Sequence, residues 1–347
     1  MVPSRSEQQL NLYQDAGSAS CCSDRTITYS PAYTLVPTYE CFNRCTYCNF
    51  RVDPGQDEWL TLQQATEILR ALQPQGVVEI LILSGEVHPR HPHREAWFQR
   101  LYDLAALALQ MGFLPHTNAG PLSYAEMSQL QQVNVSMGLM LEQVTPRLLA
   151  TVHRQAPSKQ PAVRIEQLQW AGQLQIPFTT GLLLGIGETA ADRIATLETI
   201  AALHDRWGHI QEVILQPHSP GQQQVWLGAA FPIDDLIDLI TTARQILPPE
   251  ITLQIPPNLI PADRLLDCLK AGARDLGGIG LKDEVNPAYP HPHDANLAAQ
   301  LSPHWQLQPR LPIYPQYDHW LNPHLQAAVT QWRDRLAALP SLPHSLT

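Results

Sequence analysis

The segment Thr34-Leu35-Val36-Pro37-Thr38-Tyr39-Glu40-Cys41-Phe42-Asn43-Arg44-Cys45-Thr46-Tyr47-Cys48-Asn49-Phe50 runs a short β-branched stretch directly into three cysteines. It opens a series. From Ala32 onward, short apolar runs alternate with longer segments of helical period, which predicts βα units around a largely parallel sheet. Strands are predicted at Thr34 to Thr38, Val77 to Leu83, Phe113 to Thr117, Asn134 to Gly138, Phe178 to Leu184, Glu212 to Gln216 and Thr252 to Ile255, with a weaker eighth at Arg274 to Leu276. Helices are expected at Leu62 to Ala71, Glu95 to Met111, Tyr124 to Gln131, Arg164 to Leu174, Ala190 to Arg206, Ile233 to Leu247 and Ala262 to Ala271. Seven or eight such repeats point to an α/β barrel, complete or partly open, rather than a doubly wound sheet.

The chain of 347 residues suits one large core with appendages. Residues 1–29 are expected to be an N-terminal arm and 30–287 the barrel. The Pro-, His- and Gln-rich segment 288–347, with one clear helix at Pro323 to Leu339, is expected to be an extension packed on the barrel. With only 16% charged residues, a coiled coil or a charge-driven disordered chain is excluded. The balance of 22 Lys+Arg against 32 Asp+Glu opposes a nucleic-acid partner. No apolar run of spanning length occurs and the first residues are polar, so the expectation is a cytoplasmic protein with no membrane partner.

Of six cysteines, five lie between Cys21 and Cys48. Cys41, Cys45 and Cys48 come from one tight loop and can converge on a soft-metal site. Three readings stay open on the residues alone: a [4Fe-4S] cluster with one iron left for a non-protein ligand, a Cys₃His zinc site, or plain thiols. Adjacent Cys21 and Cys22 diverge too strongly to share such a site and read as arm thiols. Cys268 falls in the apolar phase of a helix and reads as core.

Cys41-xxx-Cys45-xx-Cys48 after the first strand of such a barrel resembles the signature of the radical S-adenosylmethionine (SAM) superfamily, over roughly residues 30 to 280. Its wider context, together with Ser84-Gly85-Glu86, His116-Thr117-Asn118-Ala119-Gly120, Gly138 to Glu142, Gly277 to Gly280 and Val285-Asn286-Pro287, resembles the cyclising-subunit family of 7,8-didemethyl-8-hydroxy-5-deazariboflavin (FO) synthase. That resemblance implies a [4Fe-4S] cluster held by Cys41, Cys45 and Cys48, with SAM on the fourth iron. It implies a carbon-nitrogen lyase that closes a tyrosine-aminouracil adduct into the deazaflavin with loss of ammonia, in coenzyme F420 or deazaflavin chromophore biosynthesis. The implied partners are that adduct, a companion FO synthase subunit and reduced ferredoxin or flavodoxin. Two alternatives are the companion subunit that couples tyrosine to the aminouracil, and a non-enzymatic Fe-S carrier or redox sensor.

The same resemblance assigns SAM contacts to Tyr47, Gly85, Glu86, Asn118, Glu142, Gly185 and Gly187. Ser84 stands where the superfamily has the first glycine of its Gly-Gly-Glu element. Glu142 has a second reading as a structural ion pair, because a carboxylate repels the SAM carboxylate. His116, Glu142 and His218 are the candidates for proton transfer near the substrate. Arg44 and Arg51 read either as cofactor counter-charges or as surface residues. The prolines of His88 to His93 argue against a metal site there.

Overall fold

The computed structural model describes residues 25–338. Eight parallel strands, β1 (Thr26–Leu35), β2 (Glu79–Leu83), β3 (Leu114–Asn118), β4 (Ser136–Gly138), β5 (Phe178–Leu184), β6 (Ile210–Pro217), β7 (Thr252–Gln254) and β8 (Asp275–Ile279), follow one another around a sheet. Closure comes from β1, whose first half pairs with β8 and whose second half pairs with β2. The barrel is therefore complete.

Helices α1 (Leu62–Leu72), α2 (Arg94–Gln110), α3 (Tyr124–Leu130), α4 (Pro161–Gln173), α5 (Ala190–Trp207), α6 (Ile233–Ile246) and α7 (Leu265–Ala271) connect successive strands on the outside. Local sequence sets their starts. Thr61 with Gln64, Ser123 with Glu126 and Thr189 with Asp192 each close a reciprocal capping box. Every residue of β5 is buried, as expected for a parallel strand covered on both faces. Cys268 is fully buried in the main core, as its helical phase suggests.

Two expectations need correction. The first strand begins at Thr26, inside the expected arm, and ends at Leu35 rather than Thr38. The run Thr26-Ile27-Thr28-Tyr29 looks polar, yet β-branched threonines suit a pleated surface, and Ile27 and Tyr29 face the core. The C-terminal segment also holds more than one helix: α8 (Asp294–Leu301) precedes β9 (Gln306–Pro309), and α9 (Pro323–Ala338) follows. Strand β9 pairs with the first residues of β1, beside β8, so it branches from the barrel instead of joining it. Leu311, Ile313, Tyr317, Leu325 and Val329 then pack against Val78, Leu114 and Val135 under the barrel. Cys21 and Cys22 lie outside the described residues. No helix among those described is long and apolar enough to cross a membrane.

Candidate active site

The loop after β1 is fixed by its neighbours. Cys41 N–H donates to Val52 O at 3.1 Å, and Phe42 N–H to Glu86 O at 3.0 Å. Gly85 N–H donates to Thr38 O at 2.8 Å, and a Cβ on Gly85 would stand 2.1 Å from the Glu40 carbonyl oxygen. Only glycine lets the end of β2 approach the cysteine loop this closely. Farther along, Arg44 and Thr46 N–H groups donate to Gln155 and Val152 carbonyls, while Asn49 Oδ1 accepts from the Gln223 and Gln224 N–H groups. Loops after β2, β4 and β6 thus hold the same segment.

Cys41, Cys45 and Cys48 are free, part-exposed thiols on this loop. Burial, then the Glu86 carboxylate, pushes the Cys41 thiol up to about 11, and burial pushes Cys45 up to about 12. Such thiols become thiolates where a cation takes the place of their protons. Among the described residues no three His, Cys, Asp or Glu side chains are grouped to hold one ion. An iron–sulfur cubane asks for no such group, since its thiolates take different irons. The donor set of this loop fits a [4Fe-4S] cluster.

Behind the loop lies a charged layer that sequence reasoning missed. Glu86 accepts from Arg164 Nη2 at 3.0 Å, from Asn43 Nδ2 at 2.9 Å and from the Ser158 hydroxyl. Its carboxylate is thereby committed to protein partners. Glu142 pairs with Lys159 Nζ at 2.5 Å, and its backbone takes φ 65°. Its structural ion pair is the reading the geometry displays. Tyr47 O–H and His153 Nε2 are 2.8 Å apart, and the Tyr47 ring packs with Leu148, Val152, Leu183 and Ile186. Lys159, Arg164, His153 and Ser158 sit in an irregular stretch and the first turns of α4, where no periodic signal marks them.

Gly185 and Gly187 both have positive φ, and Ile186 between them joins the Tyr47 cluster. Their loop already carries an anion: Glu188 accepts the Gly185 and Ile186 N–H groups at 2.7 and 2.8 Å and pairs with Arg193. Arg44 and Arg51 both pair with Asp53, which answers their charge locally. His88 packs edge-on against Phe42 of the cysteine loop, with ring centroids 5.1 Å apart, while 89–93 form an exposed surface loop.

Inside the barrel a cavity runs from Lys282, Asp283 and Glu284 at the rim to Glu79, Glu212 and Arg310 at the floor. Asn118 and His116 line it. The Ser136 hydroxyl lies 2.5 Å from the Pro312 carbonyl, which can only accept, so His116 Nδ1 donates to Ser136 Oγ at 2.7 Å. His116 Nε2 is thus a lone-pair acceptor, and burial holds this imidazole neutral with a value lowered to about 3. His218 is differently placed: its nitrogens meet the Ala229 carbonyl and Gln224 Oε1, both at 3.1 Å, so it anchors the β6–α6 loop.

A closed parallel barrel with three thiols on its first loop defines the radical SAM class, and the Radical SAM superfamily model matches residues 35–200. The chain is 66% identical over 309 residues to 7,8-didemethyl-8-hydroxy-5-deazariboflavin synthase of Nostoc sp., covering 88% of this chain and 91% of the relative. Against the synthase of the same name from Synechococcus elongatus it is 64% identical over 312 residues, covering 89% and 93%. The chain belongs to the 7,8-didemethyl-8-hydroxy-5-deazariboflavin synthase family. Among solved structures, the FeFe-hydrogenase maturase HydG from Carboxydothermus hydrogenoformans superimposes with a TM-score of 0.67 at 16% identity, covering 91% of this chain and 79% of that one. That likeness concerns the fold alone.

Proposed function

We infer that this chain is the radical SAM lyase that closes the 5-amino-5-(4-hydroxybenzyl)-6-(D-ribitylimino)-5,6-dihydrouracil adduct to FO, with release of ammonia. The observation that carries this reading is the 66% identity to a synthase of that name over nearly the whole of both chains. Cys41, Cys45 and Cys48 would hold the [4Fe-4S] cluster. When bound, the cluster and SAM supply a primary carbon radical able to take hydrogen from an unactivated carbon.

The chain's own residues supply placement. The Tyr47 ring and the Gly185–Gly187 loop offer an apolar bed for adenine, supported by the packing of Ile186 beside Tyr47. Gly85 and Glu86 border the cysteine loop where the SAM amino group belongs, and Asn118 faces the cavity. With its carboxylate committed to Arg164, Glu86 serves chiefly by its backbone. Glu142 acts through Lys159, whose charge lies close to Cys45. His116 Nε2 presents the cavity with a neutral hydrogen-bond acceptor rather than a base, since burial and the nearby Arg310 disfavour its protonation, while His218 holds the loop above it.

The adduct comes from a companion subunit and the electron from reduced ferredoxin or flavodoxin in this reading. Cytoplasmic placement belongs to it as well, since reactive thiolates and an open iron need reducing surroundings. The test is an anaerobic assay of the chain with SAM and a reductant. Fluorescent FO should form from the supplied adduct and not from free tyrosine plus aminouracil. Adduct formation from the free precursors would overturn the reading, as would unchanged iron content after Cys→Ala at any of the three cysteines for the ligand set.

A further inference from the structure

The cavity contains a group of neutral amides with polar atoms that the fold leaves unpaired. Gln216 is the penultimate residue of β6; Gln254 on β7 pairs in register with Ile214, two residues below Gln216; Asn258 lies in the short turn Pro257–Leu259 just beyond. All three line the cavity. Among the described residues, the Gln216 and Gln254 carboxamides make no hydrogen bond to protein. Asn258 gives its amide protons to Asp283 Oδ2 at 2.8 Å and to Tyr289 O at 2.9 Å, which fixes its orientation. Its Oδ1 is buried with no partner. An orphaned buried acceptor costs free energy that a ligand donor restores.

Gln254 is also placed with care. Gly277 has φ +75°, a conformation that calls for glycine, and Gln254 Nε2 lies 2.3 Å from where a Cβ would stand. That glycine lets the carboxamide lie against β8. Leu81, Leu83, Met140 and Ile214 supply apolar wall beside the amides, and Asn258 reaches the charged rim at Asp283.

We propose that Gln216, Gln254 and Asn258 recognise the pyrimidinedione ring of the substrate. The proposal rests on the function inferred above. A ring lactam presents a carbonyl beside an N–H, and a carboxamide carries the matching donor and acceptor. The unpaired Asn258 oxygen asks for an N–H. A neutral heterocycle suits amides, which attract it without burying net charge. Adenine carries a comparable edge, so the test separates the two.

The experiment titrates the anaerobic holoprotein with 6-(D-ribitylamino)uracil, its 3-methyl derivative and SAM, in parallel with steady-state assays on the adduct. The 3-methyl compound should bind the parent protein at least about tenfold more weakly, as expected where a site hydrogen-bonds a missing N–H. Gln216→Leu and Gln254→Leu should each weaken the pyrimidine and raise KM for the adduct by about tenfold, with the SAM Kd unchanged. Gln254→Glu, nearly the same shape but lacking the donor, should behave likewise with an unaltered melting temperature. Equal binding of the two pyrimidines, or losses that fall on SAM instead, would overturn the proposal. Should the unsubstituted protein cleave SAM yet make no FO from adduct, the functional reading fails; should it make FO while both glutamine variants keep their KM, only the recognition proposal fails.

Discussion

Arg310, brought in just after β9, grips both oxygens of Asp275 at the start of β8, with Nε at 2.6 Å and Nη2 at 2.8 Å. The same guanidinium touches Glu212, and Glu79 lies near enough to feel it. One cation therefore serves three buried carboxyl groups, and it belongs to the extension rather than to the barrel.

Removing that cation should be severe. Arg310→Ala leaves Asp275 and Glu212 buried without their partner, and a loss of about 3–5 kcal/mol is expected. Arg310→Lys should recover only part, because an ammonium cannot grip Asp275 with two parallel N–H groups. Denaturant unfolding of the three proteins checks both statements.

Stability should depend on the Glu212 proton. Burial first, with Asp275 and Glu79 adding and Arg310 opposing, raises Glu212 from 4.5 to about 7. The folded state then holds a proton that the unfolded state has released, so this contribution is complete below about pH 4.5 and lost as pH rises through 7. The neutral imidazoles His116 and His153, both lowered to about 3, act with opposite sign as pH falls below 6.5. The difference in unfolding free energy between the parent and Glu212→Gln isolates the carboxyl: it should change between pH 4.5 and 7 and be flat above about pH 8.

Gly85→Ala should disturb the cysteine loop. Its methyl would press on the Glu40 carbonyl, so either β2 or the loop must shift, with a cost of about 1–3 kcal/mol. Reconstituted protein should hold less iron per chain, measured by iron analysis beside the melting temperature. A drop in melting temperature with full iron content would place the strain elsewhere.

Tyr47 separates ring from hydroxyl. Tyr47→Phe loses the contact with His153 but keeps the face against Ile186, so the SAM Kd should change by less than about threefold. Tyr47→Ala should raise it by about tenfold through loss of aromatic surface. Equal effects of the two substitutions would assign the role to the phenol.

Much of the barrel was legible because parallel strands buried on both faces write themselves as apolar runs, β5 most clearly. The cysteine loop stood out because Cys41, Cys45 and Cys48 fall at close spacing directly after the first strand. Strand β1 was misplaced since its threonines imitate a polar arm, and β9 was missed since two of its four residues are exposed and the last is proline. The charged layer of Glu86, Arg164, Ser158 and Lys159 depends on segments that meet only after the barrel closes. No local pattern marks a residue chosen for a partner more than seventy positions away, as Arg164 is for Glu86.

Arg310 and Pro312 close the floor of the cavity, opposite the rim of Lys282, Asp283 and Glu284. Reactants and products of unequal size must pass the same rim, beneath the loop that Asn49 secures to Gln223 and Gln224. Whatever settles deepest has to arrive first and depart last. Such a vessel turns molecular traffic into a queue, and its kinetics should be ordered by position even where no residue discriminates among the molecules waiting.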